Sequence, residues 1–313
     1  KCGLSIQDIF DSIGDLTNLK VIKVSKNNGT FDHVPEAIPN GLQMIIADDI
    51  KWSNESFREF LCFCSNRNWP NGLWLSLEST NLDFSFESLY DLPHPLNFLS
   101  FNQSPQLNNQ SLMTFLELNN VTHLSLCDVF TDNTFEIIEK AKLFKSAIPK
   151  LLNLTELYLA ESKPRQNFEA ISTILASLKS LPKLQLLDLT NNQLGNEGIA
   201  ILDELVVSSS SLSKIAFDGC QITSVNQLEP LLKACESRKP MELLFPFDLL
   251  KSICNDDEFT LMQKRFSMIQ TSQESSQSDY IDTFLKIEFD TQNPFSLSYC
   301  ITPSLETTLS MPL

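Results

Sequence analysis

The rarest reactive side chains in these 313 residues are three histidines, His33, His94 and His123, which stand far apart in the chain. None has a second donor at the HxxH, HxxxH or CxxC spacing that would put two ligands on one metal ion. Of eight cysteines, only Cys62 and Cys64 are close enough in sequence to act together. Their CxC sits inside an apolar run with no histidine nearby, which describes small buried thiols better than ligands. The others (Cys2, Cys127, Cys220, Cys235, Cys254 and Cys300) are scattered, unlike the dense pattern of a disulfide framework. Two carboxylate clusters, Asp48-Asp49 and Asp256-Asp257-Glu258, would do acid–base work only if paired inside a cavity. As runs they suit a solvated turn and the acidic start of a helix. GxSxG, Walker A and GxGxxG signatures are absent. These residue types predict recognition and not catalysis, with no metal and no cofactor.

Composition narrows what is recognised. The net charge is −16 and the sequence pI about 4.6, which argues against nucleic acid and against anionic membrane surfaces and leaves room for a basic partner. No run is long and apolar enough to insert in a bilayer. Scattered cysteines suit a reducing compartment, so a cytoplasmic location is expected. The chain begins at Lys1 without an initiating Met or a signal-peptide pattern, and an N-terminally truncated protein is expected.

The elements that would carry a recognition surface follow from one stretch, Leu184–Leu194, LQLLDLTNNQL. Leu184, Leu187, Leu189, Asn192 and Leu194 stand in the order LxxLxLxxNxL. Its middle alternates like a strand with one buried face, and a helical segment follows. Copies begin at 19, 42, 72, 96, 121, 154, 184, 212 and 241, in steps of 23 to 33 residues. One strand and one helix per copy predict an α/β leucine-rich repeat solenoid: a curved arc with parallel strands on the concave face and helices on the convex face, about nine irregular repeats in all. The repeats are expected over residues 1–246, ending where Pro246 removes a strand donor. Residues 247–313 are expected to hold a capping helix (Asp256–Gln270), a polar linker (Thr271–Asp279) and a tail that either covers the last repeat or docks a partner.

The functional message of such a fold lies in the outward slots between the leucines, the third, fifth and seventh of each copy. Met44, Ile46, Trp74 and Phe98 are expected to form an apolar patch on neighbouring strands, and Glu156, Tyr158, Asp188 and Asp218 an acidic stretch further along. Both are candidate partner-binding surfaces for another protein.

The later steps, near 28–29 residues, with LTELYLAES, LQLLDLTNNQLGNEGIAIL and LSKIAFDGCQIT, resemble the ribonuclease-inhibitor type of leucine-rich repeat. Irregular copies running into FPFDLL are most similar to the carmil-like proteins of that type. That resemblance implies a non-enzymatic scaffold in actin assembly. The basic capping-protein segment of that family has no counterpart after residue 250, so capping-protein binding is not implied. A second member of the type, the Ran GTPase activators, uses an arginine in a loop after a strand. The resemblance then points to Arg165 in Lys163-Pro164-Arg165 and to a small GTPase as partner.

Overall fold

The computed structural model describes residues 3–69, 72–80, 86–89, 96–104, 110–130, 134–163, 166–237, 241–244 and 246–271. The polar linker beyond Thr271, the tail, Arg165, His94 and most of the connection between 81 and 95 lie outside them. The chain forms two compact units, Lys1–Val129 with Lys150–Leu154, and Phe130–Pro149 with Thr155–Leu313.

In the first unit, helix α1 (Ile6–Ser12) opens on a capping box: Ser5 Oγ accepts from the Asp8 amide and the Asp8 carboxylate accepts from the Ser5 amide. The strands that follow are β1 (Val21–Lys23), β2 (Asn28–Gly29), β3 (Met44–Ile46), β4 (Lys51–Trp52), β5 (Trp74–Ser76), β6 (Phe98–Ser100) and β7 (His123–Ser125). Strands β1, β3, β5, β6 and β7 pair in that order, all parallel, and β2 and β4 form a separate pair. Helices α2 (Asn54–Ser65) and α3 (Gln110–Leu118) return the chain between strands. In α2 the apolar residues Phe57, Phe60, Leu61 and Cys64 recur at helical spacing and are buried. Phenylalanines fill the space behind the sheet. Phe10, Phe31 and Phe60 meet edge-on with centroids 5.5 to 6.1 Å apart, the geometry aromatic quadrupoles favour.

The second unit repeats the scheme with longer helices: α4 (Thr134–Ala147), β8 (Glu156–Tyr158), α5 (Phe168–Leu178), β9 (Leu186–Asp188), α6 (Gly195–Ser208), β10 (Lys214–Ala216), α7 (Glu229–Ser237), β11 (Glu242–Leu243), α8 (Phe247–Ile253) and α9 (Asp256–Thr271). Strands β8 to β11 pair in chain order and in parallel. Helices α4 to α7 pack side by side, each on the next. Helix α9 lies against β11 and α8. Arg265 on α9 reaches Glu229 and Glu236 of α7, and Phe266 is buried near Phe217.

Each three-residue strand of these sheets lies at the expected place in LxxLxL, because its central residue is the second leucine of the pattern. Ile45, Leu75, Leu124, Leu157, Leu187 and Ile215 are all fully buried. Short strands joined through helices in a parallel, in-register stack make both units leucine-rich repeat folds. The eighth position carries a signature that sequence periodicity hides. Lys26, Asp49, Ser79, Gln103, Asp128 and Asn191 all have left-handed φ between 51° and 63°, and Gly219 has 66°. The amide at the eighth position reaches the next repeat's seventh carbonyl, as in Asp49 N to Glu78 O at 2.7 Å and Asn191 N to Asp218 O at 2.7 Å, and also from Glu161, which lacks the left-handed turn, to Thr190 O at 2.9 Å. The asparagine slot ties neighbours from inside. Asn192 Nδ2 donates to Leu159 O at 2.8 Å and Leu189 O at 2.9 Å, and in the next repeat Cys220 Sγ takes that slot, donating to Leu189 O at 3.1 Å.

Two elements differ from the sequence expectation. Helix α8 stands where the repeat pattern is expected to stop. Its N-terminus is held by a residue far away in the chain, Asp218, whose carboxylate accepts from Leu249 N at 2.8 Å and Asp248 N at 3.3 Å. The pair β2 and β4 is only two residues long on each side, too short to show any period.

Candidate functional site

Register places the outward slots of the first unit in three rows. The third slots run Val21, Met44, Trp74, Phe98, His123, and the fifth slots run Lys23, Ile46, Ser76, Ser100, Ser125. The seventh slots, two residues further along each chain, hold Ser25, Asp48, Glu78, Asn102 and Cys127.

The first row contains a stack of rings. Trp74 and Phe98 have centroids 4.6 Å apart, Phe98 and His123 lie 4.4 Å apart and nearly parallel, and Trp74 and His123 are 5.2 Å apart. All three are half-buried. Gly72 fits beneath this stack: its φ is +76°, and a Cβ there would meet the Phe98 ring edge at 2.6 Å. Met44 and Ile46 occupy the adjacent register positions but are only 2% exposed each. Both are flanked by side chains on either side, so the accessible part of the expected apolar patch is Trp74 and Phe98. His123 belongs with them. Its slot is readable from the sequence, since it is the third residue of its repeat, but an imidazole does not count as apolar there.

The third row is bonded across repeats by a simple rule. Asp48 Oδ1 accepts from the Ser76 hydroxyl at 2.5 Å and from the Glu78 amide at 3.0 Å. Asn102 Oδ1 accepts from the Ser125 hydroxyl at 2.7 Å and the Cys127 amide at 2.9 Å. Burial raises the Asp48 carboxyl above the ordinary range, against the hydrogen bonds from Ser76 and the Glu78 backbone. Glu78 is pushed up to about 7, first by burial and then by the nearby Asp48 and Asp128, with Lys23 acting the other way.

In the second unit the residues of the expected acidic stretch lie on neighbouring strands, with their side chains engaged within the fold. Glu156 is paired in register with Leu186, and Tyr158 with Asp188. Glu156 accepts a hydrogen bond from the Tyr158 hydroxyl at 2.6 Å. Asp188 is 1% exposed, and its carboxylate accepts from the Thr190 amide at 2.9 Å. Asp218 is spent on the N-terminus of α8 and on its neighbour Gly219 N at 2.9 Å. The carboxylates of Asp188 and Asp218 therefore accept from backbone amides, and Lys214, paired with Glu242 at 3.3 Å, stands beside Leu186 in the sheet.

Among the described residues, most of those singled out for chemistry lie apart from the ring stack; His123 belongs to it, and Asp48 is bonded to the strand that carries Trp74. His33 is exposed between Asp32 at 2.7 Å and Asp11 at 3.3 Å, which raises its pKa, Asp32 first. Burial pushes the Cys64 and Cys220 thiols well up, away from reactive thiolates. Asp49 lies in an exposed turn near Lys26 at 3.9 Å, and Asp256-Asp257-Glu258 forms the first turn of α9, where Asn255 and Glu258 cap each other. Among the described residues no group of three His, Cys, Asp or Glu could hold a metal ion, and no helix is long and apolar enough to cross a membrane.

The chain matches no protein-family model and no curated protein. Among solved structures it is similar to the leiomodin-1 actin-binding site 2, at 14% identity and TM-score 0.33 over 51% of this chain and 95% of that one. It is also similar to TLR13 in its complex with ssRNA13, at 16% identity and TM-score 0.34 over 74% and 39%. A third likeness is to an internalin, InlF, of Listeria monocytogenes, at 14% identity and TM-score 0.27 over 73% and 74%.

Proposed function

We propose that this chain is a non-enzymatic protein-interaction scaffold that receives its partner on the outer face of the first unit's sheet. The observation that carries this reading is the stack of Trp74, Phe98 and His123. Three half-exposed rings on adjacent strands, held in place over a glycine, form a rigid anchor of the kind that dominates interface energetics. Nothing in the core needs them there, since the inward slots of the same strands are filled by Leu75, Leu99 and Leu124. The type of repeat supports a scaffold in actin assembly as the specific setting. The scattered placing of the cysteines along the chain supports a cytoplasmic one.

The test is a pull-down from native extract with the wild-type chain and with Trp74→Ser/Phe98→Ser. Loss of two central aromatic anchors removes about 2–4 kcal/mol each, enough to abolish capture. Both proteins are first shown to share circular dichroism and unfolding midpoint within a few degrees. Unchanged capture by the folded double variant would refute the assignment. GTPase activation, the other reading, would show as faster hydrolysis by a small GTPase that is lost in Arg165→Ala.

A further inference from the structure

The bonding rule in the third row breaks at one place. Asp48 and Asn102 each bridge to the next repeat, taking one hydrogen bond from a fifth-slot serine and one from a seventh-slot amide. By the same rule Glu78, between them, would accept from Ser100. Among the described residues its carboxylate has no hydrogen-bond or ion-pair partner, and the Ser100 hydroxyl, 0% exposed, has none either. A glutamate is one methylene longer than Asp or Asn, so its carboxyl overshoots the bridging position. Lys23 acts on it only at a distance.

A half-buried carboxylate without a partner, with two more acids close by, is costly to keep empty-handed. Nothing in the packing of the repeat requires it, because Asp or Asn performs the structural role on both sides. From the third slot to the seventh is about 13 Å along an extended chain, at about 3.3 Å per residue. The ring stack and Glu78 are therefore spaced to meet two side chains of an extended segment four residues apart.

We propose that Glu78, backed by Asp48 and Asp128, is the subsite for an arginine of a protein partner, while an apolar residue four positions from that arginine rests on Trp74, Phe98 and His123. This rests on the interaction reading above and names the partner's chemistry. A guanidinium matches a carboxylate in two parallel hydrogen bonds. Its charge also suits a chain whose net charge is −16. Because Glu78 takes up a proton near pH 7, arginine binding is coupled to proton release. Burial sets that value first; of the groups facing it, Asp48 and Asp128 raise it further and Lys23 lowers it.

The probe is a pair of fluorescent peptide pools with Leu and Arg fixed four positions apart and small polar residues elsewhere, the second pool carrying citrulline, the uncharged analogue, in place of Arg. Binding to the full chain is read by fluorescence anisotropy at low salt. The arginine pool is expected to bind about tenfold tighter than the citrulline pool, as for a charge-assisted hydrogen bond. In Glu78→Gln the ratio falls to near one while citrulline-pool binding persists. For wild type the arginine pool weakens about tenfold from pH 8 to pH 6, as one group titrating near 7 dictates. Equal binding of both pools, or a preference that survives Glu78→Gln, overturns the arginine subsite. If both pools bind equally and Trp74→Ser/Phe98→Ser abolishes that binding, the interaction surface stands without the subsite. If neither pool binds, the subsite falls and the pull-down alone decides the wider reading.

Discussion

Asn192 is the residue on which the second unit's inter-repeat bonding can be measured. It is fully buried, and its amide donates to Leu159 O at 2.8 Å, Leu189 O at 2.9 Å and Thr190 O at 3.3 Å, while its Oδ1 accepts from Asn167 Nδ2 at 2.7 Å. Asn192→Ala removes all of these. Leu189 O keeps the Cys220 thiol and the backbone amide of residue 192, so its loss is small. Leu159 O and Asn167 Nδ2 lose their strongest partner inside a closed core. Each such group costs about 1–3 kcal/mol, so Asn192→Ala should destabilise by about 2–6 kcal/mol, a large share of the stability of a typical domain. Asn192→Cys should cost less, about 1–2 kcal/mol, because Cys220 already shows that a thiol in this slot reaches the preceding repeat's carbonyl at 3.1 Å. Urea unfolding followed by circular dichroism gives both values, and amide exchange in β8 and β9 localises the loss. A cost under about 1 kcal/mol for Ala, or equal costs for Ala and Cys, would mean that the slot is filled for its shape and not for its bonds.

Three further outcomes follow from the geometry. Glu78→Gln should stabilise the chain at pH 8 and leave it unchanged at pH 4. The folded-state pKa of Glu78 is raised, so its contribution is fully present below the ordinary 4.5 and is lost as pH climbs through about 7. That displacement corresponds to roughly 3 kcal/mol, and partial exposure of the group reduces the expected gain to about 1–2 kcal/mol in pH-dependent urea titrations. Gly72→Ala should cost about 1–2 kcal/mol for its left-handed backbone and push the Phe98 ring aside, seen as a shift in tryptophan emission and weaker partner capture. Unaltered emission would place the ring stack elsewhere. Arg265→Met should loosen α9, since the 19%-exposed guanidinium is what ties it to Glu229 and Glu236. Limited proteolysis should then cut within α9 several-fold faster, and an unchanged rate would assign its docking to Phe266 and Met262 alone.

Strand positions were legible because a leucine at the first, fourth and sixth places leaves only one way to bury the strand. The helices with apolar residues at helical spacing, α2, α5 and α6, were legible for the same reason. Helix α8 was not, because its start depends on Asp218, some thirty residues away in sequence and adjacent only in the fold. The outward slots were correctly positioned by counting, yet counting does not give exposure. Met44 and Asp188 sit in outward slots and are buried because neighbouring strands crowd them. The open carboxylate at Glu78 is a subtler case. Once Asp48 and Asn102 show what the seventh slot does, a glutamate there stands out, but the rule itself comes from hydrogen bonds that no pattern of letters displays.

The left-handed residue at the eighth position has a consequence for how this surface can change. Its side chain is free to be Lys, Asp, Ser, Gln or Asn, since the turn needs only a backbone conformation that those residues tolerate at modest cost. The bond from that position to the next repeat's seventh carbonyl holds neighbouring turns together just past the ends of their strands. Between one turn and the next strand the return segment varies from the single two-residue strand β2 to a fourteen-residue helix. Length changes are thus absorbed behind the sheet and never shift the rows in front. The outer face behaves as a fixed grid with cells about 5 Å apart across strands, in which one residue can be rewritten without moving its neighbours.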